Sequence, residues 1–351
     1  MSWITDIARA EIRALQPYQH ASWEPGLVRL HANELPWRTP LDDSAAGLNR
    51  YPEPHPHELA ARLATLYGVD ATCLLAGRGS DEAIDLLTRC YCRAGLDAVL
   101  ITPPTFGMYG VAARIQGAAV VESPLRREQG FRVDIEALLS VLTPAVKLVY
   151  LCSPNNPTGN LVERATVLEL ARRLAGRALL VIDEAYIEFS AVASLAADLA
   201  GQPGLVVLRT LSKAYGLAGA RCGALLAAPE VVALLQRVIQ PYAITQLSIE
   251  AVFRTLQPDQ LAIAAGRVAQ LSSERARLAT ALAAHPCVLR VWPSAANFLL
   301  VDFADPASVL QHTHAAGLLV RDLRRMPALT QSLRISIGAP DQNDRLLDCL
   351  P

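Results

Sequence analysis

Three short stretches carry most of the chemistry in this chain: SPNNPTG (153–159), DEAY (183–186) and TLSKAYGLAGARCG (210–223). Each follows or closes an apolar run that reads as a buried strand. A lysine just after a strand, Lys213, can offer its amine to an aldehyde if positive charge and desolvation keep it unprotonated. An aspartate ending a neighbouring strand, Asp183, can pair with a protonated ring nitrogen, so that the ring draws electrons from a carbanion. Ser212 and Arg221, with glycines at 216, 219 and 223, offer hydroxyl, guanidinium and N–H groups to a phosphate. Taken singly, each has a plainer reading: a surface lysine, a helix cap and an ordinary turn. Their coexistence, in this order and at strand ends, points instead to a phosphorylated pyridine aldehyde held as a Schiff base on Lys213.

Two further motifs fit such a ligand. GRGSDEAIDLL (77–87) begins like a dinucleotide loop but lacks the third glycine, which weakens a dehydrogenase reading. As a helix start with Ser80 and Asp81 near its N-cap, it suits a phosphate resting on free N–H groups. PPTFGMYG (103–110) puts Tyr109 in the first turns of another helix, with Phe106 expected to serve packing. The histidines make no metal site. His55 and His57 flank Pro56, and His312 and His314, two apart on a helix, face different ways.

The elements that must position these residues alternate. Strand-like runs at 97–101, 118–122, 146–151, 178–183, 205–210 and 223–228 are separated by amphipathic stretches such as 58–67, 81–91 and 164–175. Strands buried on both faces between helices imply a mainly parallel α/β sheet, whose ligands collect beyond the strands' carboxyl ends. After Pro241 a helical stretch over roughly 258–284 leads into strand-like segments at 296–303, 317–322 and 332–338, which reads as a smaller α+β unit. The expected division is an N-terminal helix and arm (1–40) joining the small domain, a large domain (41–243) and a small C-terminal domain (244–351).

Composition sets outer bounds. Among 351 residues, 52% are hydrophobic and 19% charged, an ordinary globular balance. A net charge of -1 supplies no basic excess for nucleic acid. No apolar run is long enough to span a membrane. The start, MSWITDIARAEIRAL, reads as an amphipathic helix rather than a secretory leader. Seven scattered cysteines without CxxC pairs suit reduced packing residues, so a cytoplasmic location is expected.

On these motifs the chain resembles the fold-type I aminotransferases over nearly its full length, and within them the histidinol-phosphate aminotransferases. Their general pattern is met by Asn156–Gly159, Asp183 with Tyr186, Ser212–Lys213, Arg221, and Arg334 in LRISIG. The resemblance implies a fold-type I α/β transferase carrying pyridoxal 5′-phosphate (PLP). Lys213, Asp183 and Tyr186 would be catalytic, with Asp183 on the ring nitrogen and Asn156 and Tyr186 on the ring oxygen. Gly79, Ser80, Asp81, Thr210, Ser212 and Arg221 would hold the phosphate, and Tyr109 would stack on the ring. Tyr51 would reach the partner's site in a homodimer. Tyr18, Asn33, Arg321 and Arg334 would contact substrate, the arginines taking carboxylate or phosphate. LHANELP (30–36) departs from the subgroup at Leu35, where asparagine is usual.

The implied reaction is transamination between L-histidinol phosphate and 2-oxoglutarate, giving imidazole-acetol phosphate and L-glutamate in histidine biosynthesis. Alternatives are an aromatic or broad-specificity aminotransferase, a phospho-amino-acid decarboxylase, and a non-catalytic PLP-binding regulator. The complete lysine, aspartate, tyrosine and arginine set argues against the last, because plain binding needs no electron-sink pairing.

Overall fold

Period-two alternation of apolar side chains builds the larger half of the molecule. The computed structural model describes residues 2–20, 22–24 and 26–351. Seven strands pair into one sheet: β1 (Leu74–Gly77), β2 (Ala98–Ile101), β3 (Ala119–Glu122), β4 (Val146–Cys152), β5 (Leu179–Asp183), β6 (Leu205–Thr210) and β7 (Gly223–Leu226). Their order is β1-β7-β6-β5-β4-β2-β3, with β7 antiparallel to both neighbours and every other pairing parallel. Within β4, Val149 and Leu151 face one layer, with Leu59, Leu63, Val167 and Leu170 of the helices His57–Tyr67 and Arg164–Leu174. Leu148 and Tyr150 face the other, with Ile84, Leu87, Ala112 and Leu235 of the helices Ser80–Tyr91, Met108–Gln116 and Pro229–Gln236. Helices on both faces explain why β5, β6 and β7 are buried at every position.

A second sheet, entirely antiparallel, comprises β8 (Val288–Val291), β9 (Phe298–Phe303), β10 (Arg321–Asp322) and β11 (Ser332–Ser336) in the order β10-β11-β9-β8. Leu278 and Leu282 of the long helix Pro258–Ala283 pack on its Leu299, Val301, Leu333 and Ile335.

Three local expectations change. The N-terminal stretch forms two short helices, Trp3–Asp6 and Ala10–Ala14, and the first packs on the large sheet rather than joining the small one. Ile4 and Ala8 are buried with Leu87 and Tyr91, and the Arg9 N–H donates to the Cys90 carbonyl at 3.0 Å. Its apolar face simply matches that layer. The strand expected over 317–322 shrinks to Arg321–Asp322, because Gly317, at φ +72°, is still turning out of the helix Pro306–Ala315. Strands β1 and β8 were not foreseen; each is four residues long, too short to show alternation.

Candidate active site

Strands β4, β5 and β6 end side by side at Cys152, Asp183 and Thr210, so their outgoing loops meet at one edge of the large sheet. A cleft of about 560 Å³ opens there. Its floor is Asp183, 2% exposed, which accepts hydrogen bonds from the Tyr109 hydroxyl at 2.8 Å and the Ala185 N–H at 3.1 Å. Burial pushes this carboxyl up to about 6, while the two donors act to hold it down. Lys213 lies three residues beyond β6, its amine facing the cleft and 5.7 Å from the Tyr186 ring centre. Desolvation, then the positive charge of Arg334 and of Arg221, disfavours its ammonium form, although Asp81 and Asp183 oppose them.

One wall is a polar relay. Asn156 donates to the Tyr186 hydroxyl at 3.2 Å and accepts from Arg334 of β11, which brings the small sheet to the mouth of the cleft. Arg321 on β10 sits opposite Arg334 in register. The Tyr186 ring meets Phe298 edge-on at 5.2 Å. The opposite end is an anion cradle. Thr210 bonds Ser212 at 3.0 Å, and Arg221 reaches Ser212 at 3.5 Å and Asp81 at 3.2 Å. Helix Ser80–Tyr91 points its N-terminus here, capped by Gly79 at φ +86° rather than by the Ser80 side chain. Space dictates glycine on both sides: a Cβ on Gly223 would stand 2.9 Å from the Gly79 Cα, and one on Gly79 would stand 3.1 Å from Arg221.

Comparison with known proteins places the chain in a family. Residues 30–350 match the family model for aminotransferase class I and II. The histidinol-phosphate aminotransferase of Stenotrophomonas maltophilia is 48% identical over 348 residues, covering 98% of this chain and 95% of that one. The chain belongs to the class I and II aminotransferases, in their histidinol-phosphate branch. Among solved structures, the histidinol-phosphate aminotransferase of Sinorhizobium meliloti in complex with pyridoxal-5′-phosphate superposes with a TM-score of 0.76 at 26% identity, covering 86% of this chain and 82% of that one. The L-threonine-O-3-phosphate decarboxylase of Porphyromonas gingivalis gives 0.73 at 26%, over 86% and 90%.

This aminotransferase is a PLP-dependent enzyme, and its donor set fits that cofactor. A buried carboxylate suits the ring nitrogen, an amide and a phenol suit the ring oxygen, and a hydroxyl–guanidinium cradle suits the phosphate. Of the residues expected from sequence, Lys213, Asp183, Tyr186, Asn156, Thr210, Ser212, Arg221, Ser80 and Asp81 all line the cleft. Tyr109 does not. It is fully enclosed, stacked on Tyr150 at 4.7 Å and 9°, with its hydroxyl committed to Asp183 beneath the cleft. Besides Tyr186, the aromatic that lines the cleft is Phe106, which leaves Phe106 rather than Tyr109 exposed to a bound ring. Tyr51, Tyr18 and Asn33 are not brought to the cleft of this chain. Tyr51 stacks on Tyr242 at 4.7 Å and lines a separate hollow with Asn33, while Tyr18 is 73% exposed.

Proposed function

We propose that this aminotransferase moves an amino group between L-histidinol phosphate and 2-oxoglutarate, giving imidazole-acetol phosphate and L-glutamate, as a step of histidine biosynthesis. The observation that carries the reading is Arg334, whose guanidinium the small sheet brings onto Asn156 at the mouth of the lysine cleft, with Arg321 as its register partner on the neighbouring strand. Such a pair accepts a carboxylate in one half-reaction and a phosphate in the other. The 48% identity to the Stenotrophomonas maltophilia protein supports the choice of substrates over the decarboxylase, a likeness of only 26%.

Bound PLP supplies an aldehyde and an electron-withdrawing ring. Asp183 would hold the proton of the ring nitrogen, and Asn156 and Tyr186 would donate to the ring oxygen. Phe106 and Ala185 would flank the ring and exclude water. Arg221, Ser212, Thr210 and the N–H groups at Gly79–Asp81 would grip the phosphate. Asp81 spends its carboxylate on orienting Arg221 and contributes its backbone to the anion. Lys213 anchors the cofactor. Once free, its amine, whose ammonium form burial and Arg334 disfavour, would take the proton from the substrate α-carbon.

The same reading divides the chain into a cofactor-binding part, 41–243, and a substrate-gripping part, 244–351. It also makes the enzyme a homodimer, each subunit lending Tyr51 to its partner's cofactor phosphate and the arm around Tyr18 and Asn33 to its substrate. The arm's exposed Leu30, Leu35, Trp37, Leu41 and Tyr51 favour a second copy over solvent. A cytoplasmic setting suits seven free cysteines.

The test gives the PLP form histidinol phosphate, phenylalanine and a phospho-amino acid in separate single-turnover reactions, following the cofactor's visible band. Conversion to pyridoxamine phosphate far faster with histidinol phosphate than with phenylalanine supports the proposal. Carbon dioxide release from the phospho-amino acid, with no pyridoxamine form, would transfer the enzyme to the lyases.

A further inference from the structure

Asp302, in β9 of the small sheet, is a carboxylate only 4% exposed and remote in sequence from every motif of the cleft. Its Oδ2 accepts from the Trp292 indole N–H at 2.8 Å and from Arg127 at 2.7 Å, and its Oδ1 accepts from Ser332 at 2.5 Å. Arg127 comes from the other half of the molecule, in the turn that follows β3. Its second Nη donates to the Ala328 carbonyl at 2.7 Å, within the loop joining β10 to β11. The guanidinium also lies 4.9 Å from the Trp292 ring and 5.6 Å from Phe131, two rings that pack at 4.7 Å. Leu125, Leu300, Leu323 and Leu329 close the cluster around them.

The turn bearing Arg127 is itself fastened to the cleft. Arg126 and Phe131 close it through backbone bonds, and the Asn160 amide donates to the Phe131 carbonyl at 3.0 Å. Asn160 directly follows the SPNNPTG turn, whose Gly159 carbonyl accepts from the Ala295 N–H at 2.8 Å. Gly159 has φ +78°, and a Cβ there would stand 2.7 Å from the Ser294 Cβ. On the far side, Asp302 is the register partner of Ser332, two residues before Arg334. Asp302 is buried while Arg127 is half-buried, so the pair adds little net stability over apolar packing, yet removing Arg127 leaves a buried carboxylate short of a donor. Its geometric consequence is therefore the informative one: it permits one placement of β9 and β11 against the large sheet.

We propose that Arg127 and Asp302 form a cross-sheet pin that sets the reach of Arg334 toward the Lys213 cleft, making Arg127 and Asp302 positioning residues for the substrate's anionic end. The substrate part of this proposal rests on the function proposed above; the pin itself does not. Arg334 is then located twice, by its strand through Asp302 and at its tip through Asn156. Without the strand anchor, the tip contact alone must hold the arginine, and it is lost whenever the guanidinium turns to bind an anion.

The experiment compares holoenzymes carrying Arg127→Met and Asp302→Asn with the wild type. Methionine keeps an apolar chain beside the two rings and removes the charge and both donors. Amide exchange is followed over 323–336 without substrate, and KM and kcat are measured for glutamate and histidinol phosphate. The expected result is exchange at least about tenfold faster in that segment. KM should rise about tenfold for both donors while kcat stays within about threefold. PLP content should not change, and the double variant should be no worse than the worse single one. A wild-type exchange rate or a wild-type KM in both variants overturns the pin, as does a loss confined to kcat, which would report only a smaller folded fraction. Should Arg127→Met fail to fold, Arg127→Lys, retaining one charged donor without the fork, must show the same KM-against-kcat split at smaller amplitude. If the wild type turns over neither donor, the proposed substrates fail, and amide exchange still decides the pin.

Discussion

Replacing Tyr109 with phenylalanine removes a single oxygen from a fully enclosed side chain and leaves its stack on Tyr150 intact. The group that feels the change is Asp183, which loses its 2.8 Å hydroxyl donor and keeps only the Ala185 N–H. A hydrogen bond to a charged buried group contributes about 1.5–3 kcal/mol. Its loss should strengthen proton binding by the carboxyl about ten- to a hundredfold, from a starting value of about 6. The sign follows from burial: the folded value already lies above that of a free carboxyl, so the variant stays protonated to higher pH. A protonated Asp183 must give up its proton before it can pair with the charged ring nitrogen, so each protonated fraction subtracts from PLP affinity. Working that through, the ratio of variant to wild-type PLP dissociation constants should be near unity at pH 8.5. At pH 6.5 it should lie between about threefold and twenty-fivefold. Fluorescence titration of the apoenzyme with PLP at both pH values measures the ratio directly. The same ratio at both pH values would refute the reasoning, because Tyr109 would then act through shape and not through the proton on Asp183.

Two substitutions probe other parts of the cleft. Phe106→Ala removes a ring that lines the cleft; aromatic stacking contributes about 0.5–1.5 kcal/mol, so PLP should bind about two- to tenfold more weakly, while Phe106→Tyr stays within twofold. Unchanged affinity in the alanine variant, measured by the same titration, would remove Phe106 from the cofactor's face. Gly223→Ala places a methyl group 2.7 Å from the Arg209 carbonyl oxygen and 2.9 Å from the Gly79 Cα, both backbone atoms with little room to yield. Overpacking of this kind costs about 1–3 kcal/mol. It should lower the urea midpoint and weaken PLP binding together, since Gly79 caps the phosphate helix; a stable variant with normal affinity would contradict it.

What could be read from sequence, and what could not, follows from how far each feature reaches along the chain. Lys213, Asp183 and Asn156 were legible because each sits within a few residues of a strand end, and parallel strands bring such ends to one edge of the sheet whatever else the fold does. Phe106 and Tyr109 were legible as a pair but not as individuals. Both stand near the start of one helix three residues apart, and the rotation of that helix decides which faces the cleft and which lies beneath it. The pin was invisible, since 175 residues separate Arg127 from Asp302 and neither belongs to a motif. Tyr18, Asn33 and Tyr51 are a different case. No arrangement of one chain shown here brings them to Lys213; Tyr51 is 51% exposed and stacks on Tyr242. If they serve the site, the missing distance must be supplied by a second subunit. The arm, costly to leave in water and idle in one chain, then becomes the part of the sequence whose meaning depends most on assembly.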